Sequence, residues 1–280
     1  MSKFLTVIIP CKNEREHLAA CVRSVKGLAT EIIVADSGST DGSLDIARAL
    51  GCRVIEREYG TSGDFKNWAI PQATHNWVLI LDCDERVTPE LADEIRTTLQ
   101  QPDHDGYRIR RRNHFLGHPI RFGPWKNDSC VRLFRRDQGT YVGPTDHAEV
   151  ELRTGSLGTL RRPMMHYTCS SYEQYLPKLN RYAVVQAKVW HDQGRRTSLA
   201  QLVFRAPLRF LQGYLLRLGF LDGLAGLQVC MLVAYVSYLK HAQLWELQHA
   251  RSWREIELVR PQAPVPRSKN ETAIASRSAA

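Results

Sequence analysis

The chain has 280 residues, of which 43% are hydrophobic, enough for a buried core in one full domain of about 200 residues with an appendage. Its seven cysteines are scattered without a C-x-x-C pair, which argues against a zinc site and a disulfide framework and fits a reducing compartment. The net charge of +9 favours an anionic partner, whether nucleic acid, lipid headgroups or a phosphorylated substrate, without choosing among them.

The first hundred residues alternate between strand and helix patterns. The apolar run near the N-terminus is too short for a signal peptide and predicts a strand, which places the body of the protein in the cytoplasm. Apolar runs and helical spacing predict strands at 5–10, 31–36, 52–56 and 77–81, and helices at 15–28, 41–50, 65–74 with a kink at Pro71, and from Thr88-Pro89-Glu90 onward. This alternation predicts an α/β fold with a mostly parallel sheet and helices on both faces.

Three polar clusters follow predicted strands: Pro10–Glu14, Asp36–Gly42 and Asp82–Glu85. Parallel sheets bind ligands beyond the carboxyl ends of their strands, so we expect the three clusters to share one rim. The strongest is Asp82-Cys83-Asp84, because two carboxylates two residues apart can hold Mg²⁺ or Mn²⁺ against a diphosphate. An acidic pair also occurs by chance in many loops, and its position after a fourth strand is what favours the metal interpretation.

The other two clusters have simpler explanations when taken alone. Small residues and glycines in Asp36–Gly42 allow a ligand to approach the backbone, but Thr40 or Asp41 could also cap an ordinary helix. The segment Pro10–Glu14 could be an exposed loop. Lys66 could face a diphosphate or lie in solvent.

The pattern changes after residue 105. Residues 107–112 and 130–135 alternate like antiparallel strands, and nine Lys/Arg residues between Arg108 and Arg136 form either a solvated basic face or a wall for substrate phosphates. Helices are predicted at 172–192, 199–218 and 223–239. The last two are apolar and basic, which predicts a position in the membrane interface; a buried helical hairpin or a single membrane span are the alternatives. The final residues, 258–280, are predicted to be disordered.

In combination, these motifs resemble the family 2 glycosyltransferases of the GT-A fold, most closely the small bacterial enzymes that add glucose to lipopolysaccharide core. The resemblance covers about residues 4–250 and is carried by IIPCKNE, IIVADSGSTDGS, KNWA, WVLILDCDE, VRLFRR, TDHAEV and MMHYTCSSYEQYLPKLNRYA. It implies a Rossmann-like GT-A domain at 1–168 and a helical, membrane-associating extension at 169–257. It also implies a UDP-sugar donor, with UDP-glucose the first choice, a lipopolysaccharide-core or other glycolipid acceptor, no nucleic acid, and a peripheral position at the inner face of the bacterial plasma membrane.

The resemblance further implies site residues. Metal binding is expected of Asp84, Asp82 and His166, with His166 equally able to be a core histidine. The catalytic base is expected to be Asp146, with Glu149 second, although Ala148 stands where the subgroup usually has glutamate. Donor-binding roles are expected of Pro10, Lys12, Asn13, Glu14, Asp36, Ser39, Asp41, Lys66, Asp82 and Asp84.

The resemblance implies an inverting mechanism without an enzyme nucleophile. A nucleotidyltransferase would share the sheet and the acidic ligands, but the sequence PCKNE lacks the glycine-rich loop it would need. The alternative from another class is a non-catalytic, basic membrane- or polyanion-binding module. Such a module would not need Asp36, Asp82 and Asp84 on one rim, because carboxylates repel polyanions.

Overall fold

The computed structural model describes residues 5–143, 148–153 and 155–250. Its strands are β1 (Leu5–Cys11), β2 (Glu31–Asp36), β3 (Arg53–Glu56), β4 (Trp77–Ile80), β5 (Glu85–Arg86), β6 (Gly106–Phe115), β7 (His118–Pro119), β8 (Ser129–Arg135), β9 (Gly139–Val142), β10 (Glu149–Leu152), β11 (Leu157–Thr159) and β12 (Met164–Cys169). Its α-helices are α1 (Arg15–Val25), α2 (Ser43–Ala49), α3 (Ser62–Ala69), α4 (Pro89–Thr98), α5 (Tyr172–Asp192), α6 (Leu199–Leu211) and α7 (Gly223–His249).

The main sheet has the order β3-β2-β1-β4-β8-β6-β12-β5. The first four strands run parallel, β8 is antiparallel to both of its neighbours, and β6 and β12 are parallel. Strands β9 and β10 form a separate antiparallel pair. The predicted α/β fold with a mostly parallel GT-A sheet is confirmed, including the antiparallel pairing of the two strands after residue 105.

Both faces of the parallel part of the sheet are covered, which explains why β1 and β4 are nearly continuous apolar runs. On one face, Val7 and Ile9 of β1 pack with Leu18 of α1. On the other, Ile8 packs with Phe65 of α3. A strand buried on both faces needs apolar side chains at every position, and this places the polar residues that follow at its carboxyl end.

The helix bounds differ most from the prediction in α3, α6 and α7, while α1 and α2 are shorter than predicted by a few residues. Helix α3 begins at Ser62 because the Thr61 hydroxyl accepts a hydrogen bond from the amide of Asp64, and it gives way to a 3-10 turn at Ile70–Gln72, where Pro71 cannot continue the α-helical bonding. Helix α6 stops at Leu211 and is followed by a π-helical turn, Gln212–Leu216. Helix α7 runs to residue 249, ten residues beyond its predicted end.

Helices α5, α6 and α7 form a helical arm in which α7 packs against both of the others. The chain enters α7 through a close turn, because a Cβ on Gly226 would lie 2.0 Å from the carbonyl oxygen of Gly219. The Asp222 carboxylate holds this turn to the sheet domain by accepting hydrogen bonds from the amides of Arg121 and Phe122, at 3.0 and 2.8 Å. The helical arm is therefore held beside the edge of the sheet where the predicted polar clusters lie.

Within the described ranges, one helical stretch, 219–249, is long and apolar enough by length and composition to cross a membrane, and 33% of its apolar window is buried. The predicted domain boundary at 168/169 stays a prediction; the last strand of the sheet ends at Cys169. The predicted tail at 258–280 lies outside the described residues.

Candidate functional site

A cavity of about 1510 Å³ lies at the carboxyl ends of β1 and β4 and extends along the helical arm. Of the residues expected from the sequence, those that line it are Pro10, Lys12, Glu14, Lys66, Asp82, Asp84, Glu149 and His166. Those that do not line it are Asn13, Asp36, Ser39 and Asp41. Asp146 lies outside the described residues.

Asp36 is fully buried at the end of β2 and holds the loop that follows it. Its carboxylate accepts hydrogen bonds from the amides of Gly38 and Ser39, at 2.7 and 2.8 Å, and from the Ser39 hydroxyl at 2.5 Å. Lys12 reaches the same loop, where its Nζ donates to the carbonyl oxygens of Ser37 and Gly38. In this structure Asp36 and Ser39 fix the shape of the loop.

Asn13 and Asp41 bind the first two loops to each other. Asn13 has a left-handed φ of 54°, and its side-chain oxygen accepts from the amide of Thr40 at 2.8 Å. Asp41 accepts from the amide of Arg15 at 3.0 Å. The two predicted polar clusters therefore meet as expected, through contacts between the loops.

Asp82 lies among cations. Lys66 Nζ is 3.1 Å from Asp82 Oδ1, and the Arg132 guanidinium contacts Oδ2. Burial by itself would raise the pKa of Asp82, but Arg132 and then Lys66 outweigh it and hold that pKa well below its ordinary value. Arg132 also lies 2.7 Å from Glu85, whose side chain is completely buried. Both oxygens of Asp82 are thus held before any ligand binds.

Asp84 has a different environment. Its Oδ2 lies 3.5 Å from His166 Nε2 and 3.7 Å from Lys178 Nζ. Burial opposes ionisation, but the contacts with His166 and Lys178 lower the pKa of Asp84 below its ordinary value. A carboxylate, an imidazole and an ammonium group therefore converge on one point of the cavity.

A chain of hydrogen bonds sets the tautomer of His166. The Asn113 amide donates from Nδ2 to Asp128 at 2.9 Å, so its oxygen faces His166, and Nδ1 of the histidine, 2.6 Å away, is the donor. With Nδ1 bonded to Asn113, Nε2 is the ring nitrogen that faces Asp84. A carboxylate oxygen and an imidazole nitrogen 3.5 Å apart suit a divalent cation, and a hydrogen bond to the other ring nitrogen is what normally orients a metal-binding histidine.

In the part of the chain that the structure describes, no group of three or more His, Cys, Asp or Glu side chains could hold a metal ion. Mg²⁺ and Mn²⁺ sites that work on phosphates often use only one or two protein ligands, with phosphate oxygens and water completing the shell. Asp84 and His166 fit such a site. Asp82, already held by Lys66 and Arg132, is better placed to orient those cations.

Glu14 faces the same region from the end of β1. Burial, and next the negative charge of Asp84, raise the pKa of Glu14 to about 7. A carboxyl group with this pKa can exchange a proton near neutral pH, and it is sensitive to any cation that binds beside Asp84.

The far wall of the cavity comes from β9 and β10. Glu149 is exposed at the start of β10 and lines the cavity. The side chain of Tyr141 is buried next to this wall, with Lys66 Nζ 5.1 Å from its ring centroid, and burial raises the pKa of its hydroxyl.

Sequence reasoning missed several residues of the site: Arg111, Asn113, Asp128, Arg132, Tyr141 and Lys178. A signal existed for Arg132, since one arginine inside the apolar strand sequence CVRLF must be buried, and a buried arginine needs a carboxylate. The acidic segment at 82–85 contains two such partners. Lys178 carried no comparable signal, because a lysine near the start of a helix is usually solvated.

Residues 6–152 match the family model described as Glycosyl transferase family 2. An uncharacterized glycosyltransferase of Rickettsia prowazekii, RP128, is 31% identical and covers 88% of this chain and 88% of its own length. The lipopolysaccharide core biosynthesis glycosyltransferase LpsC of Rhizobium meliloti is 26% identical and covers 85% of this chain and 93% of its own length.

Two solved structures are also similar. TarS from S. aureus is 14% identical, with a TM-score of 0.45, and the match covers 89% of this chain and 93% of that one. Glucosyl-3-phosphoglycerate synthase from Mycobacterium tuberculosis, solved with Mn²⁺, UDP and glucosyl-3-phosphoglycerate, is 17% identical with a TM-score of 0.47; the match covers 70% of this chain and 82% of that one.

Proposed function

Since the chain belongs to glycosyl transferase family 2, we propose that it is an inverting, metal-dependent glycosyltransferase that moves a sugar from a UDP-sugar to a lipopolysaccharide-core or other lipid-linked glycan acceptor. Glucose is the first sugar to test. The observation that carries the proposal is the pair Asp82 and Asp84 at the carboxyl end of β4, inside the cavity and beside His166. The name of the R. meliloti relative supports an acceptor of the lipopolysaccharide-core type.

The donor is assigned to the part of the cavity between the first loop and β4. Pro10, Lys12 and Glu14 line the side expected to receive the base and ribose. Asp36 acts indirectly, by fixing the loop that Lys12 binds. Lys66 and Arg132 would attract the diphosphate once it enters, because both cations lie at the carboxyl end of β4.

Mg²⁺ or Mn²⁺ would be held by Asp84 and His166, and when bound it supplies positive charge that stabilises the departing diphosphate. Lys178 adds a fixed cation on the same side, 3.7 Å from Asp84. Asn113 keeps His166 in the tautomer that such binding requires. Fixed charges directed at the developing negative charge contribute because they need no reorganisation during the reaction.

The acceptor hydroxyl attacks the anomeric carbon opposite the leaving diphosphate, which inverts the configuration at that carbon. A carboxylate on the acceptor side takes the hydroxyl proton. Glu149 lines the cavity and is one candidate; Asp146 is the other and lies outside the described residues.

The helical arm supplies the membrane contact in this proposal. None of the residues of α6 is buried, and large apolar side chains stand in solvent along one side of α6 and the turn after it. We call this the apolar face of the arm, and it consists of Val203, Phe204, Leu208, Leu211, Leu215 and Leu216. An apolar stripe on a helix that also carries arginines is typical of a helix lying in the lipid headgroup region, and it would keep a lipid-linked acceptor near the cavity.

Calorimetric titration of UDP, with and without Mn²⁺, tests the donor site. We expect Mn²⁺-dependent binding by the wild type and at least a tenfold loss for Asp84→Asn, because the cation loses a charged ligand. Asp93→Asn removes an exposed carboxylate on α4 and serves as the matched control. Binding of UDP that ignores both Mn²⁺ and Asp84 would overturn the assignment and favour the non-catalytic, polyanion-binding module.

A further inference from the structure

Three cations of the helical arm line the far end of the cavity. Arg205 and Arg209 are one turn apart on α6, and Lys240 faces them from α7. In the described ranges, none of the three forms an ion pair with a carboxylate. Arg209 is close enough to Lys240 that, after burial, its charge is the next cause lowering the pKa of that lysine.

The same cavity shows the opposite arrangement at the sheet. There Lys66 and Arg132 pair with Asp82, and Lys178 lies beside Asp84. Arg205 and Arg209 are exposed and Lys240 is half-buried. Like charges that lie close together repel one another, so a group of three cations without a carboxylate partner is unfavourable in the free protein. An anion supplied from outside would remove that cost.

Helix α5 gives the distance between the two ends. Lys178, beside Asp84, and Trp190, whose ring centroid lies 5.2 Å from that of His241, are twelve residues apart, which corresponds to about 18 Å along a helix. His241 adjoins Lys240 in sequence and is the fourth basic residue of this end of the cavity. The separation suits a saccharide of several sugar units, with its reacting hydroxyl near Asp84 and its far end at the cations.

The apolar face of the arm is centred on the side of α6 that is away from Arg209. At 100° per residue, Arg209 is about 140–160° around the helix from Phe204 and Leu211, while Arg205 lies at the border of the face, about 60° from Leu208. A glycolipid whose lipid stays in the membrane could therefore reach the cavity past α6. Its charged sugars would meet the cations before its terminal hydroxyl reaches the donor.

We propose that Arg205, Arg209 and Lys240 form an acceptor subsite for an anionic group, phosphate or carboxylate, carried by the acceptor glycan several sugar units from the hydroxyl that reacts. The substrate class of this subsite, a glycan acceptor, is taken from the proposed function. Its binding chemistry needs neither the donor nor the metal, because the cations lie away from Asp84 and His166. The two proposals can therefore fail separately.

The test measures binding of a water-soluble, deacylated lipopolysaccharide oligosaccharide by calorimetry, without donor or metal. We expect Arg209→Gln/Lys240→Gln to weaken binding at least tenfold, and the control Lys26→Gln/Lys188→Gln, two exposed lysines outside the cavity, to leave it unchanged. The Mn²⁺-dependent affinity for UDP should be the same in all three proteins. Since the variant removes repelling charges and leaves no hole, its thermal unfolding midpoint should be no lower than that of the wild type.

Two modified probes identify the anion. Removing the phosphates with hydrofluoric acid, or reducing the carboxyl groups, should abolish the difference between wild type and variant for whichever group binds. A variant that binds the charged oligosaccharide as tightly as the wild type, or no binding by the wild type, would overturn the proposal. The proposal would also be overturned if the variant lost affinity only for vesicles of phosphatidylcholine with added phosphatidylglycerol and kept its affinity for the oligosaccharide, because the cations would then bind lipid headgroups.

Discussion

At the carboxyl end of β4, Asp82 contacts Lys66 and Arg132, and the fully buried Glu85 shares the same arginine. On the helical arm, Arg209 and Lys240 line the same cavity, and no ion pair with a carboxylate is found for either in the part of the chain that the structure describes. One wall of the cavity therefore has its charges balanced within the protein. The other presents cations, with an apolar face on the outer side of the same helix.

The difference indicates that the balanced wall, with Asp82, Glu85, Lys66 and Arg132, is preorganised, and that the unbalanced wall, with Arg209 and Lys240, depends on a partner. Paired buried charges hold one geometry in the absence of a ligand, as a donor site that must align a diphosphate requires. Unpaired cations and exposed apolar side chains lower their free energy only when an anion and an apolar phase are supplied. Under the function proposed above, the balanced wall would receive the small, defined donor and the unbalanced wall the charged, lipid-linked acceptor.

The largest effect on stability should come from removing a cation of the balanced wall. Arg132→Met leaves Asp82 without its guanidinium partner and leaves the buried Glu85 with only the longer, 3.5 Å contact to Arg111, so we expect the free energy of unfolding to fall by about 3 kcal/mol, measured by urea denaturation. Arg135→Met, three residues along the same strand, removes a half-exposed partner of Asp137 and should cost less than about 1 kcal/mol. Equal losses in the two variants would mean that burial of the pair at Arg132 has no special weight.

A smaller effect on stability should depend on pH. The pKa of Glu14 is raised from 4.5 to about 7, so the folded protein keeps a proton that the unfolded chain releases, and stability falls as pH rises through this window. Without metal, Glu14→Gln should therefore gain about 2–3 kcal/mol over the wild type between pH 5 and pH 8. Glu16→Gln, an exposed change on α1, controls for the loss of one charge. A gain that is the same at both pH values would contradict the burial of Glu14 beside Asp84.

The smallest effect concerns the unbalanced wall. Phe204→Ser/Leu208→Ser removes two side chains from the apolar face of the arm. We expect it to weaken binding to phosphatidylethanolamine–phosphatidylglycerol vesicles, measured by flotation, at least tenfold. Burying a Phe or Leu side chain contributes about 1.5–3 kcal/mol, and each substitution removes part of that contribution. Val142→Ser/Leu157→Ser, two exposed apolar residues of the sheet domain, should not weaken this binding. If light scattering shows a wild-type dimer that this arm variant dissociates, a second copy of the chain covers the face and the membrane assignment is wrong.

The sheet domain was predictable from local patterns. The apolar runs at β1 and β2, and the capped start of α4, mark their elements because each pattern arises from the burial or capping of its own residues. The rim was predictable for the same reason, since polar residues after buried strands must meet at one edge. The helical arm was predicted in its elements, but the break at 212–216 was not, because the segment QGYLL contains neither a proline nor a charged residue to mark it.

The sequence by itself determined the alternating strands and helices of the first hundred residues, the rim that carries Asp82 and Asp84, and the apolar, basic character of the arm. Only the tertiary structure decided which charges meet. Arg132 reaches Asp82 across 50 residues, and Asn113 sets the tautomer of His166 across 53. Such contacts leave no periodic trace in the sequence, because pairing depends on which strands become neighbours, and that order is decided when the whole sheet forms.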